Sequence, residues 1–383
     1  MRLLKIGLCI GLAIGSSSCI KNNKVVDDVS FYSAFSGARL DSTKHVEGNC
    51  YVAYVNPAFE PVNPSAYFAF AVSSTTEKEV EIELNYGKHK HRYIPKLSLD
   101  KQHWKNIDAS KIKVDTLNGK ATISLSVSPD TLYVAAQEIE TSADTYSWLD
   151  GLMAEHAFLK KEVAGKTVKG NNNYVVTTND SLEKSIVLIA RQHPPETPGG
   201  TIGFKSFYET LLNHSETSKK FREQYNVITF PLLNPDGADM GNWRHNAKGV
   251  DLNRDWVDFS QPETQMVKRY MEGLQQHEKD VVFALDFHTS HSGPYLLVLD
   301  ALNEIKTQQI IPKWIQGIEE NSNYKVEARR RSQDLPYCYN YFYNQIGCEA
   351  VTYEDGDEID RDIIRDRAKV YANELMEALL LTE

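Results

Sequence analysis

Two hydrophobic periods divide the chain. From 31 to about 137 apolar residues alternate with polar ones: Val80, Ile82, Leu84 and Tyr86 form one such run, and Ile123, Leu125 and Val127 another. A period of two predicts half-buried strands, and Asn118-Gly119 between runs reads as a turn. No helical period interrupts this stretch, so residues 31–140 are expected to form a small antiparallel β-sandwich. A composition shift at 141–145 ends it. Trp148, Leu149, Leu152 and Met153 then recur at helical spacing, predicting a helix that ends near Lys160. Beyond it strands and helices alternate: strands over 186–190, 227–233, 281–286 and 349–353, helices over 204–212, 263–274 and 363–380. Short apolar runs of this kind read as strands buried on both faces. Their alternation with helices predicts an α/β domain over 141–383, a mixed, mostly parallel sheet flanked by helices.

Composition changes the picture in two ways. The chain has 383 residues and a net charge of −10, which argues against a nucleic-acid binder, since phosphate binding needs a basic face. At the start, Arg2 and Lys5 precede an apolar run over 6–15 and then Ser16-Ser17-Ser18-Cys19. That order is a secretory signal, too short to span a bilayer. It resembles the signals of bacterial lipoproteins, although Ser16 stands where they usually carry Leu. The expectation is export to a bacterial cell envelope, cleavage before Cys19, lipid attachment there as the only membrane contact, and a tether over 20–30. Cys50, Cys338 and Cys348 remain; Cys338 with Cys348 is a candidate disulfide that sequence leaves open.

The chemistry gathers where predicted strands end. His193-Pro194-Pro195-Glu196 follows the first strand of the second half, Asn234-Pro235-Asp236-Gly237 the next, and Asp286-Phe287-His288 the third. Glu354 closes the fourth, and Trp243-Arg244 and Gly249-Val250-Asp251-Leu252-Asn253-Arg254 lie between. In open α/β sheets sites form beyond the carboxyl ends of strands. An imidazole and a carboxylate three residues apart could grip a cation such as zinc, which takes N and O ligands.

This ordered set resembles the zinc carboxypeptidases with an His-x-x-Glu … His metal site, and within them the cytosolic carboxypeptidase branch. The resemblance runs from about 145 to 380. It implies one Zn2+ per chain held by His193, Glu196 and His288, with His291 a rival third ligand. It implies Asp251 orienting His193, Glu354 as general base, Arg244 stabilising the oxyanion, and Asn253 and Arg254 holding the terminal carboxylate of a peptide substrate. Branch members also carry a β-sandwich before the catalytic domain, which suits 31–140.

Two departures stand out. Pancreatic-type members have an Arg where Pro195 stands, and the family's mobile Tyr has no clear counterpart: ungapped alignment lands on Ser332. Tyr337, Tyr339 and Tyr341 are nearby, with Tyr337 the choice because it follows a Pro in a polar loop. The alternatives to a carboxypeptidase are a zinc-dependent deacylase of N-acyl amino acids and an inactive peptide-binding lipoprotein. His89, His91, His103 and Trp104 in the first half are expected to be scattered surface residues, and the 328–331 Arg tract a solvated face.

Overall fold

The computed structural model describes residues 28–300 and 309–381, so the expected signal, Cys19 and most of the tether lie outside the described residues. Where the tether was expected to run to residue 30, a strand already begins at Val29, whose side chain is buried in the first core.

The first part folds into two five-stranded sheets. One holds Val29–Tyr32, Ala69–Ser74, Leu132–Ala135, Lys96–Ser98 and Lys105–Asn106 in spatial sequence; the other holds Ser42–Glu47, Cys50–Tyr54, Lys78–Asn85, Lys120–Val127 and Ile112–Asp115. Pairing is antiparallel except between Cys50–Tyr54 and Lys78–Asn85, which run parallel. The alternation read in the sequence decides the burial. Val80, Ile82 and Leu84 from one sheet share a cluster with Phe70, Val72 and Val134 from the other.

An eight-stranded mixed sheet forms the second part. Its spatial sequence is Lys160–Lys166, Asn172–Thr177, Tyr225–Phe230, Lys184–Ala190, Asp280–Ser290, Glu349–Gly356, Tyr295–Leu299 and Ala328–Arg331. The four central strands, from Tyr225–Phe230 to Glu349–Gly356, are parallel. Both faces are covered, as near-continuous apolar runs require. Ile186 and Leu188 pack with the helices Phe204–Leu212, Ile310–Asn321 and Arg361–Leu380, whereas Val187 and Ile189 face Met266 and Val267 of Pro262–Gln276. Among the described residues no helix is long and apolar enough to cross a membrane.

Several boundaries differ from expectation for local reasons. The first helix is Ser142–Glu155, not one ending near Lys160, because Thr141 and Asp144 form a capping box and Lys160 opens a strand. The third predicted strand continues to Ser290, which places His288 on the strand itself.

The two parts are bound through ion pairs. Arg92 grips Asp357 through two bonds of 2.7 and 2.9 Å, and Arg361 reaches back to Glu138 at 2.7 Å.

His91 is a half-buried stability element of the first part. Its Nδ1 lies 2.9 Å from the Tyr86 hydroxyl, and burial pushes its pKa down from 6.5 to about 4. On acidification from about pH 6.5 to 4 the unfolded chain takes up a proton that folded His91 resists, so this stability is present above that window and is lost within it, by up to about 3 kcal/mol. Urea unfolding at pH 7 and pH 4.5 should therefore show the stability gap between wild type and His91→Gln narrowing at the lower pH. A gap independent of pH would contradict this.

Candidate functional site

The site lies at the carboxyl ends of the central parallel strands. The Lys184–Ala190 strand stops at Arg191, a buried residue with φ +57°. That left-handed turn is unusual for a side-chain-bearing residue and sends Gln192 and His193 beyond the sheet. One strand away, His288 sits directly opposite Glu354 in parallel register. Residues opposite in register share a sheet face, so both side chains emerge on the same side.

His193, Glu196 and His288 converge, with one ligand atom from each lying within 4.8 Å of the others. Glu196 is the hub: Oε1 lies 2.9 Å from His193 Nδ1 and Oε2 lies 2.7 Å from His288 Nδ1. Each imidazole has a second carboxylate behind it. His193 Nε2 is 2.9 Å from Asp251 Oδ1, and His288 Nε2 is 2.9 Å from Asp286 Oδ2. With Nε2 donating to these carboxylates, each ring would offer the lone pair of an unprotonated Nδ1 to a cation at the centre, as a metal-ligating histidine does. At His288 burial disfavours charge, yet Asp286 and Glu196 outweigh it and raise the pKa well above the usual value. The enclosure favours a positive charge, and two imidazole nitrogens with one carboxylate are a zinc-type donor set.

Close backbone approach makes this possible. Gly199 belongs to the π-helical turn Pro198–Gly203, and a Cβ there would sit 1.9 Å from the His288 carbonyl oxygen. Its N–H donates to the Thr289 hydroxyl at 2.7 Å, and the Thr289 N–H donates to Glu196 Oε2 at 3.2 Å.

Glu354 stands between His288 on one neighbouring strand and Tyr295 on the other. Its Oε2 is buried with no hydrogen-bond partner among the described residues. Burial, with Glu196 and Asp286 adding to it, pushes its carboxyl up to about 8; a cation beside it acts in the opposite sense. Arg244 donates through Nε to Asp251 Oδ2 at 2.6 Å. Burial opposes its charge, but Asp251, Glu196 and Glu354 prevail and raise its pKa.

The remaining expected residues fall into two groups. Asn253 is buried behind His288: its Oδ1 accepts from the Cys338 N–H at 2.9 Å, while its Nδ2 lies 3.3 Å from His288 Nε2, itself the donor to Asp286, so only the amide oxygen is engaged. Arg254 is more exposed, with its guanidinium 4.2 Å above the Tyr337 ring. Tyr339 and Tyr341 are core residues. His291 stays outside the metal cluster, 81% exposed and 3.8 Å from Asp357. Cys338 and Cys348 are both buried and unbonded.

Two site residues escaped the sequence reading. Asp286 lies two positions before His288 on one strand, a spacing that puts both on one face; the longer strand hid that relation. Gln192 donates to Asp286 at 2.7 Å and accepts from Trp256 Nε1 at 2.9 Å, and nothing in its local sequence marks it.

The profile of the zinc carboxypeptidase family matches residues 145–374. Among curated relatives, cytosolic carboxypeptidase 3 of Mus musculus is 31% identical over 173 residues, which is 42% of this chain and 17% of that protein. The chain thus spans about a sixth of that relative's length. Among solved structures, a metallo-carboxypeptidase from Burkholderia cenocepacia has TM-score 0.74 at 19% identity, covering 92% of this chain and 98% of the other. A Pseudomonas aeruginosa metallo-carboxypeptidase in complex with (2-guanidinoethylmercapto)succinic acid gives 0.72 at 17% identity, with 92% and 98% covered. The fold likeness therefore includes the first two sheets as well as the mixed sheet.

Replacing Asp286 by Asn keeps the shape behind His288 but removes its charge. Zinc affinity measured by chelator competition should fall about 10–100-fold; unchanged affinity would show that Asp286 does not support the ligand.

Proposed function

The chain belongs to the zinc carboxypeptidase family, and from that premise we propose that it is a zinc metallopeptidase that hydrolyses the C-terminal residue from peptides with Glu354 as general base. The observation that carries the reading is the convergence of His193, Glu196 and His288 one strand position from the unpartnered Glu354 oxygen.

His193 Nδ1, His288 Nδ1 and the Glu196 carboxylate would hold the ion, and Asp251 and Asp286 fix the two imidazoles behind it. Zinc in such a site polarises a carbonyl and makes a water acidic enough to attack near neutral pH. Glu354 takes the proton from the attacking water at its free Oε2 and returns it to the leaving amine. A base performs best with a pKa near the working pH, and the opposing effects of burial and a neighbouring cation bring the Glu354 carboxyl there.

Arg244 is aimed by Asp251 and meets the oxyanion as charge develops on the scissile carbonyl. Its bond to Asp251 uses Nε, which leaves N–H donors on the terminal nitrogens. Arg254, its guanidinium centred 4.2 Å from the Tyr337 ring, presents a planar group suited to a terminal carboxylate. Asn253 has its amide oxygen engaged by the Cys338 N–H, which leaves its amide N–H groups to meet the substrate carboxylate beside Arg254.

The same reading divides the chain into an export signal over 1–19 with Cys19 as lipid anchor, a tether that ends before Val29, the first two sheets to about residue 140, and the catalytic unit over 141–383. The working location is then a bacterial cell envelope.

Zinc-loaded protein with a set of free and C-terminally amidated peptides tests the reading. Glu354→Gln should retain zinc and lose turnover by about 10²-fold or more; substantial activity would remove Glu354 as base. Arg254→Ala should weaken hydrolysis of peptides with a free C-terminus and leave amidated ones unaffected, and equal losses on both would contradict its role. Turnover only of N-acyl amino acids would make the enzyme a deacylase.

A further inference from the structure

The loop that carries Arg244 is anchored by both parts of the chain: Asn246 donates to Gln261 and Glu263 of the second part, and the first two sheets hold the rest. Trp243, the neighbour of Arg244, is 4% exposed and belongs to the apolar cluster of the first two sheets. Its ring lies edge-on to His89 with centroids 5.0 Å apart, and His89 Nε2 lies 2.8 Å from Glu60. His89 is therefore not the surface residue expected from sequence: its ring is the packing partner of an indole contributed from another part of the chain.

Arg39 grips the same loop by its backbone, donating from Nε to the Gly241 carbonyl at 3.0 Å and from Nη2 to the Met240 carbonyl at 2.9 Å. Gly241 itself has φ +61°, and a Cβ there would meet the Ala38 carbonyl oxygen at 2.3 Å. Beyond Arg244, Phe59 of the first part closes on Gly249, where a Cβ would come within 2.7 Å of the ring. The segment from Met240 to Gly249 is thus pinned on both sides of Arg244 by residues that precede the mixed sheet in the chain.

We infer that Trp243 is a positioning residue for Arg244, and that through it the first two sheets are a working part of the active site. The physical argument is one of leverage. Arg244 is held at Nε by Asp251 and at its base by a loop whose neighbouring indole is seated in the core of the first two sheets. Removing the indole leaves a cavity under the adjacent Cα, and the guanidinium loses its fixed origin. Misplacement by about 1 Å in such a group costs on the order of 10²-fold in rate, whereas the metal ligands, on other strand ends, are untouched. The inference rests on the reading of Arg244 as the oxyanion donor.

The test is a kinetic cycle on the zinc-loaded full chain with Trp243→Phe, Trp243→Ala, Arg244→Ala and the double variant Trp243→Ala/Arg244→Ala, alongside zinc content and hydrogen exchange of residues 240–251. Trp243→Ala should lower kcat about 10–100-fold per zinc-bound molecule with KM changed less than about threefold, and Trp243→Phe should recover most of it. The double variant should be no slower than Arg244→Ala alone, since a group acting through Arg244 has nothing left to position. Losses that multiply, or a Trp243→Ala variant that is less heat-stable yet fully active, would overturn the inference. If Trp243→Ala does not fold, Arg39→Gln takes its place in the same cycle. If wild type shows no turnover, or Arg244→Ala is fully active, the reading of Arg244 has failed, and exchange decides the rest. Faster exchange confined to 240–251 in Trp243→Ala supports an anchoring role for Trp243, and no local change overturns it.

Discussion

A carboxylate enclosed between two imidazoles sets the terms for the rest of this molecule. Glu196 has both oxygens turned towards ring nitrogens of His193 and His288, and each ring is backed by a further carboxylate, Asp251 or Asp286. Three negative groups around two neutral rings would be costly to bury alone. A divalent cation at the centre turns that cost into binding free energy, and the raised pKa of His288 expresses the same demand for positive charge. The family to which the chain belongs meets that demand with zinc.

The fold meets the geometric half of the requirement with parallel strands. Their carboxyl ends lie side by side, so one-residue register decides whether His288 faces Glu354 or misses it. The turn at Arg191 swings His193 off its strand, and the missing side chain at Gly199 lets the backbone that follows Glu196 close on the His288 strand. Beyond the sheet, the loops that bear Arg244 and follow Glu354 are gripped by the first two sheets, through Trp243 and Arg39 at one and Arg92 at the other. Catalytic geometry in this chain is therefore a property of both parts together.

What was legible in the sequence follows from what is local. Periods of two and of 3.6 marked the alternating strands and the helix Phe204–Leu212, and the order of short polar segments after strands marked the ligands and Glu354. Edge strands such as Lys160–Lys166 and Ala328–Arg331 were missed, because they are short and largely exposed and carry no apolar alternation. The helix end near Lys160 was misplaced because apolar spacing continues past Glu155 while the backbone does not. Asp286, Gln192, His89 and Trp243 were not read for what they do. Their partners lie far away in the chain, and a buried polar group or a borrowed indole shows its purpose only when those partners are in place. Asn253 is a mixed case: its motif pointed to substrate, and its amide oxygen also accepts from the distant Cys338 N–H.

The central claim is that Glu196 and the two imidazoles form one zinc site. The most direct measurement is anomalous diffraction at the zinc edge from crystals of the zinc-loaded chain, paired with metal analysis of the same protein. The account predicts one zinc per chain, bonded to His193 Nδ1, His288 Nδ1 and the Glu196 carboxylate at roughly 2.0–2.2 Å. An anomalous peak elsewhere, or a chain that takes up no zinc while folded, would contradict it.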